Sequence, residues 1–294
     1  MAVVNTNANA SIAQNALARN ERSMNTAMER LSTGQRINSA ADDAAGLAIA
    51  SRMSSQIRGL ETAVRNANDG ISMISTADGA LVEVGNMLQR MRELALQAAN
   101  GTTTSSDRGY LNTEYQKLAV EIERIANNTQ WNGRNVLDGS ASAVAFQVGA
   151  NGGQTISLNF GKFQASGTAA RDAFSQLAAF NSGYIANDAY SISAHTIASA
   201  ITTGSRAVTV IDTAITQVNS QRATFGAAIN QLTYAVDNLS NVRVNAEASR
   251  SRVLDADYAA ETSELARTQI ISQAGTAMLA QANQLPQTVL SLLQ

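Results

Sequence analysis

The sequence predicts a mainly α-helical chain: an elongated antiparallel helical hairpin, bundled like a coiled coil, with a small β-hairpin region and a short variable loop. Three observations point there. Apolar residues recur at seven-residue steps along most of the 294 residues, the spacing of a helical seam. The chain contains one proline, a residue that helix interiors exclude. It is 45% hydrophobic yet only 4% aromatic. Large rings carry much of a thick globular core, so their scarcity favours thin helical packing.

The elements follow in order. Val3, Ala10, Leu17, Met24 and Leu31 are seven apart and predict an end helix. The run "STGQRINSAADDAAGLAIASRM" is a break followed by a restart, with Gly34 in the break. Ser39 and Asp42 have capping-box spacing, with Asp in place of the usual Glu or Gln. Met53, Leu60, Ala67, Ile74, Leu81, Leu88 and Ala95 then keep the seven-residue step until Asn100-Gly101 ends the run. Roughly 60 helical residues would span about 90 Å, too long for a globular domain.

Thr104 and Asp107 form a second capping pair, ahead of an apolar stripe at Leu111, Tyr115, Leu118, Ile122 and Ile125. Val144, Phe146 and Val148 alternate, as do Ile156, Leu158 and Phe160, around the turn "ANGG". That pattern predicts a β-hairpin. From Ala165 to about His195 periodicity dissolves into Ala, Ser, Gly and Asn, which predicts an exposed loop or small lobe.

A long helix returns at Ile211, Val218, Phe225, Leu232 and Leu239, with Ile215, Ile229 and Val236 at the offset positions. The fragment "VNAEASRSRVLDADYAAETSEL" is expected to break it. In the last segment Ile271, Met278, Leu285 and Leu292 step by seven, with Gly275, Ala282 and Val289 at the four-residue offset. This seam is expected to pair with the first, Pro286 bending or fraying its last turns. The layout is nested, each half mirroring the other.

Charge excludes several functions. The net charge of -2 gives no bulk attraction to nucleic acid or anionic membranes. The absence of cysteine removes disulfides and thiolate chemistry. Thr268 to Gln294 carries no charged side chain, but 12 of its 27 residues are Gln, Asn, Ser or Thr, too polar for a transmembrane helix. The opening residues have neither the basic start nor the apolar block of a secretory signal. His195, the single histidine, has no second His or Cys to complete a metal site, nor an H-E-x-x-H motif. Asp42 and Asp43 are successive, so on a helix they would not face each other. No catalytic, cofactor-binding or metal-binding residue is expected, and the chain is not read as an enzyme.

Four longer runs carry a resemblance: "LSTGQRINSAADDAAGLAIASRM", "DGISMISTADGALVEVGNMLQRMRELALQAANGT", "IERIANNTQWNGRNVLDG" and "ASRSRVLDADYAAETSELARTQIISQAGTAMLAQANQ". With them the chain resembles bacterial flagellin over about residues 1–160 and 200–294, as a short form without large outer domains. The resemblance implies terminal coiled-coil helices at 1–32 and 256–294 in the filament's inner core. Connecting spokes would fall at 33–45 and 246–255, and the outer-core bundle with its β-hairpin at 46–164 and 200–245. Residues 165–199 would form a short variable surface region. Implied partners are other flagellin copies, the flagellar export apparatus and export chaperone, and the filament cap and hook-junction proteins. Export without a cleaved signal to an extracellular filament is implied as well.

The expected polymerisation seam is Leu17, Met24, Leu31, Ile271, Met278, Ala282, Leu285, Val289 and Leu292. A charge at a buried contact repeated in every subunit would cost several kcal/mol if unpaired, which gives the uncharged tail a physical reason. Both ends are expected to be largely disordered in the monomer and to become helical on assembly. In flagellins read by Toll-like receptor 5, one helix face and an acidic residue on the next helix are recognised. Gln89, Arg90, Glu93, Leu94 and Gln97 match that face, and Glu114 the acidic position. Two alternatives stay open: a hook-filament junction protein, and a carbohydrate-binding surface protein on the same scaffold.

Overall fold

The seven-residue periodicity is realised as long helices in a computed structural model that describes residues 8–163 and 197–291. Helices α1 (Ala8–Thr33), α2 (Ala44–Ala99) and α3 (Ser105–Asn128) come first. Four short strands follow, β1 (Gln130–Trp131), β2 (Arg134–Asn135), β3 (Val144–Gln147) and β4 (Thr155–Leu158), then helices α4 (Ile197–Leu254) and α5 (Tyr258–Ser291). His195 and the expected loop up to residue 196 lie outside the described residues, and residues 197–199 open α4. The chain divides into two compact units, Gly59–Asn241 on one hand and Met1–Arg58 with Val242–Gln294 on the other.

In the unit of Gly59–Asn241, α2, α3, α4 and the hairpin β3–β4 share one core. The expected seam of α2 supplies Ala67, Ile74, Leu81, Leu88 and Ala95, all buried, and α4 supplies Ile211, Val218, Phe225 and Leu232. On α4 the expected offset residues Ile215, Ile229 and Val236 only flank this core. The small Ala207, Ala214 and Ala228 are buried instead. Ion pairs fasten α2 to α4, Arg92 Nε donating to Asp212 at 2.6 Å and Arg222 Nε to Asp78 at 2.9 Å.

Thr104 caps α3 as expected. Its hydroxyl accepts from the Asp107 N–H, and the Asp107 carboxylate accepts from the Thr104 N–H. The hairpin β3–β4 pairs Val144 with Leu158 and Phe146 with Ile156, the register the alternation requires. Phe146 packs over Gly70 of α2, where an added Cβ would come 3.0 Å from its ring. A second, unexpected hairpin pairs Trp131 with Arg134. Its turn residues Asn132 and Gly133 both have positive φ, 48° and 75°, as a type I′ turn requires.

In the other unit α1 packs against α5. Successive contacts run Leu17 to Gly275, Asn20 to Thr268 and Arg30 to Glu261, so the two helices are antiparallel. α1 ends at Gly34, whose φ of 71° and N–H to the Arg30 carbonyl make a left-handed helix cap. Beyond it the Arg36 N–H donates to the Leu254 carbonyl at 2.7 Å, and the Ala256 N–H to the Gly34 carbonyl at 3.0 Å.

Two expectations at this junction are corrected. Asp42 does not cap α2: its carboxylate accepts from the N–H groups of Asn38 and Ser39 and from the Ser39 hydroxyl. That local turn competes with helix and holds the Asp42 carboxyl below its ordinary value, chiefly through the Ser39 backbone bond. Asp43 is the cap, accepting from the Gly46 N–H at 2.8 Å. The break expected from Val244 onward is confined to residues 255–257, because α4 stays helical to Leu254. Asp257 then caps α5 through the N–H groups of Ala259 and Ala260. α5 runs on past Pro286 to Ser291.

Candidate interaction faces

The face α1 turns towards α5 is the expected one. Ala10, Ala13, Leu17, Asn20, Met24, Ala27 and Leu31 are buried or half-buried along it, spaced alternately by three and four. On α5 the matching row is Glu261, Leu265, Thr268, Ser272, Gly275, Leu279 and Ala282. The sequence reading placed Gly275 and Ala282 correctly and missed Leu265 and Leu279. It also put Ile271 and Met278 on the inward seam, and there the structure corrects it. Ile271 is 42% exposed and Met278 66%. The physical reason is steric. Leu17 of α1 fills the hollow over Gly275, where an added Cβ would sit 2.5 Å from Leu17 Cδ1. Small residues permit that close approach, and Ile271 and Met278 are rotated outward. Leu285 and Val289 fall within α5, but their side chains lie outside the described residues, as does Leu292 altogether.

Polar groups fix the pairing. Asn20 Nδ2 donates to the Thr268 carbonyl at 2.7 Å in a buried position, and a single polar seam residue of this kind selects register. Arg30 meets Glu261 at 3.0 Å. The pair joins the basic end of one helix to the acidic start of the other, as both helix dipoles favour.

What remains outside includes large apolar side chains. Ile12 (67% exposed) and Met28 (47%) stand on α1, and Ile270 (66%) stands beside Ile271 and Met278 on α5. From Thr268 onward α5 has no charged side chain. Surface helices normally carry a charged outer face, and this one does not.

A second face belongs to the unit of Gly59–Asn241. Arg90 on α2 donates through Nε to Glu114 of α3 at 2.9 Å and through a terminal nitrogen to Glu93 at 3.0 Å. The hydrogen bond that Arg90 donates to Glu114 leads the causes that raise the Arg90 pKa above its ordinary value. Gln89 and Gln97 are exposed on the same helix. Five of the six expected receptor residues thus reach the surface and three are directly linked. Leu94 is the exception: at 1% exposure it belongs to the core. Leu96, two residues on and 49% exposed, is the apolar side chain that helical geometry turns outward.

Among the described residues no group of acidic or histidine side chains is placed to hold a metal ion, and no helix is long and apolar enough to cross a membrane.

Residues 4–142 match the bacterial flagellin N-terminal helical region, and residues 208–293 match the bacterial flagellin C-terminal helical region. A flagellin of Halalkalibacterium halodurans is 46% identical over 268 residues, covering 91% of each chain. Flagellin A of Vibrio cholerae is 38% identical over 377 residues and covers 99% of each. Among solved structures, a provisionally assigned flagellar hook-associated protein of Vibrio parahaemolyticus has a TM-score of 0.60 at 16% identity. It covers 73% of this chain and 100% of its own, a likeness of fold alone. With both helical regions matched and curated relatives aligned over nearly their whole length, the chain belongs to the bacterial flagellin family, structural subunits of the extracellular flagellar filament rather than enzymes.

Proposed function

We propose that this chain polymerises into a tubular propeller for motility, the α1–α5 pair forming the inner core of the wall. The observation that carries the reading is the outer surface of that pair, where Ile12, Met28, Ile270, Ile271 and Met278 are exposed, the last three in a stretch of α5 with no charged side chain. Isolated exposed apolar residues are ordinary, but a group of them on one helix pair marks an association surface. Residues 1–32 and 256–294 would be the inner shell, 33–45 and 246–255 the spokes, and 46–164 with 200–245 the outer core. Export without a cleaved signal, a chaperone covering the ends, and capping and junction proteins at the polymer's tips complete this reading.

Two substitutions test it. Ile271→Glu places a charge on the outward face and is expected to raise the critical concentration for assembly at least about tenfold, since an unpaired interface charge costs more than the factor requires. The monomer's helicity should be unchanged. Ala282→Glu attacks the inward seam and should lower both assembly and monomer helicity. Normal filaments from Ile271→Glu, seen by electron microscopy, would remove the outward face from the contact.

Recognition of the monomer by Toll-like receptor 5 is a second reading, favoured by the exposed Arg90–Glu93–Glu114 linkage. Arg90→Ala should weaken receptor activation about tenfold or more, because a hydrogen-bonded charge at an interface is worth that much. Leu94→Ala should act through unfolding instead, lowering the melting temperature in step with any lost signal. Equal signalling by Arg90→Ala and the parent would exclude this face.

A further inference from the structure

Seven of the eight methionines lie among the described residues, and they range from buried to exposed. Met73 and Met91 are 5% and 0% exposed in the core of the Gly59–Asn241 unit, and Met87 packs against that core. Met28 and Met278 stand out on α1 and α5 at 47% and 66%. Met24 and Met53 are half-buried between these extremes. The two exposed thioethers therefore lie on the helix pair through which the subunit reading has copies associate, and no charged side chain follows Arg267 along α5.

We propose that Met28 and Met278 are oxidation sites through which peroxide-type oxidants turn off assembly of the free subunit. The inference rests on the subunit reading above. In the reaction the thioether sulfur gives an electron pair to one oxygen of hydrogen peroxide. An S–O bond forms as the O–O bond breaks, the sulfur loses two electrons, and the peroxide is reduced to water. The product is a methionine sulfoxide, which replaces a flexible apolar side chain by a polar, chiral one. In water the new S=O is solvated at no cost, so the monomer keeps its fold. Against a neighbouring apolar helix it has no donor, and the loss recurs in every subunit. Burial in the filament would shield the same sulfurs, so oxidation acts before assembly. Thiol-dependent methionine sulfoxide reductases, one for each epimer, would reverse it.

The test uses the full chain. Purified monomer is treated with dilute hydrogen peroxide, and peptide mass spectrometry reads each methionine. Met28 and Met278 are expected to oxidise at least about tenfold faster than Met73 and Met91, as exposure dictates. The critical concentration of oxidised protein should rise about tenfold, the cost of one unsatisfied buried polar group per subunit. A Met28→Leu/Met278→Leu variant conserves side-chain volume. Its critical concentration, whatever its value before treatment, should be the same after peroxide, and reductase treatment should restore the oxidised parent.

Equal oxidation of buried and exposed methionines would overturn the inference. So would normal assembly of protein oxidised at both sites, or loss of assembly by the variant under peroxide. Failure of untreated parent to assemble sinks the subunit reading itself. Normal untreated filaments with unaffected oxidised assembly sink only the inference made here.

Discussion

Gly275 decides how closely the two end helices approach. Replacing an exposed helical glycine by alanine ordinarily stabilises by about 1 kcal/mol. Here the new Cβ would lie 2.5 Å from Leu17 Cδ1, a separation that forces Leu17 to move. Gly275→Ala is therefore expected to lower the thermal stability of the α1–α5 pair, and Leu17→Ala in the same chain to restore part of it. Circular dichroism melts of the two single variants and the double one would check this. A stabilised Gly275→Ala would show that Leu17 is free to swing aside. Asn20 plays the complementary part: Leu17 sets the distance between the helices and Asn20 sets their register.

At the level of elements, the long seams of α2 and α4 were legible because large apolar residues at seven-residue steps were also the buried ones. The seam of α5 was legible only in part. Its buried row contains Thr268, Ser272 and Gly275, chosen for smallness, so a reading that ranks positions by hydrophobicity selects Ile271 and Met278 instead. The β1–β2 hairpin was missed although "WNGR" contains the Asn-Gly that a two-residue turn prefers. Its strands are two residues each, too short for alternation to register. Leu94 was misplaced because a matched motif shows which residues occur and not which way they point.

Caps were read well where the sequence offered one candidate pair, as at Thr104 and Asp107, and poorly where two acids competed at 42 and 43. The Thr104 cap makes a pH-dependent prediction. Hydrogen bonds from the Thr104 hydroxyl and backbone hold the Asp107 carboxyl below its ordinary value of 3.8. A carboxyl depressed in the folded state contributes stability above the unfolded value and loses it as pH falls through the lower, folded one. Asp107 should accordingly titrate below 3.8 by NMR, and Thr104→Ala should move it back towards that value while costing about 1 kcal/mol of stability. An unshifted Asp107 in the parent would contradict the capping geometry.

For the whole molecule, the contrast between the two units predicts how stability is distributed. The Gly59–Asn241 unit closes a core of large buried side chains, among them Tyr115, Phe160 and Phe225. The end helices meet over a thin seam in which Leu17, Met24, Leu31, Leu265 and Leu279 alternate with small or polar residues, and Ile270, Ile271 and Met278 stay outside. Amide exchange in the monomer should therefore be fast throughout α1 and α5 and slow in α2 and α4, since thin local burial means low opening energy. In the filament all four helices should be protected. Strong protection of α1 and α5 in the free chain would make their pairing self-sufficient and remove the need for neighbours.

The hydrogen bond between Asn20 and Thr268 spans 248 residues of sequence, and that separation bears on timing. Local contacts along α2 and α3 can form as soon as their own residues are free to fold. The partner of α1 is the last helix of the chain, and joining distant segments carries the largest loop-closure cost. A growing or emerging polypeptide thus has no formed end pair until residues 258 onward have arrived. The sticky surface is the final piece to come together, and an incomplete chain cannot display it.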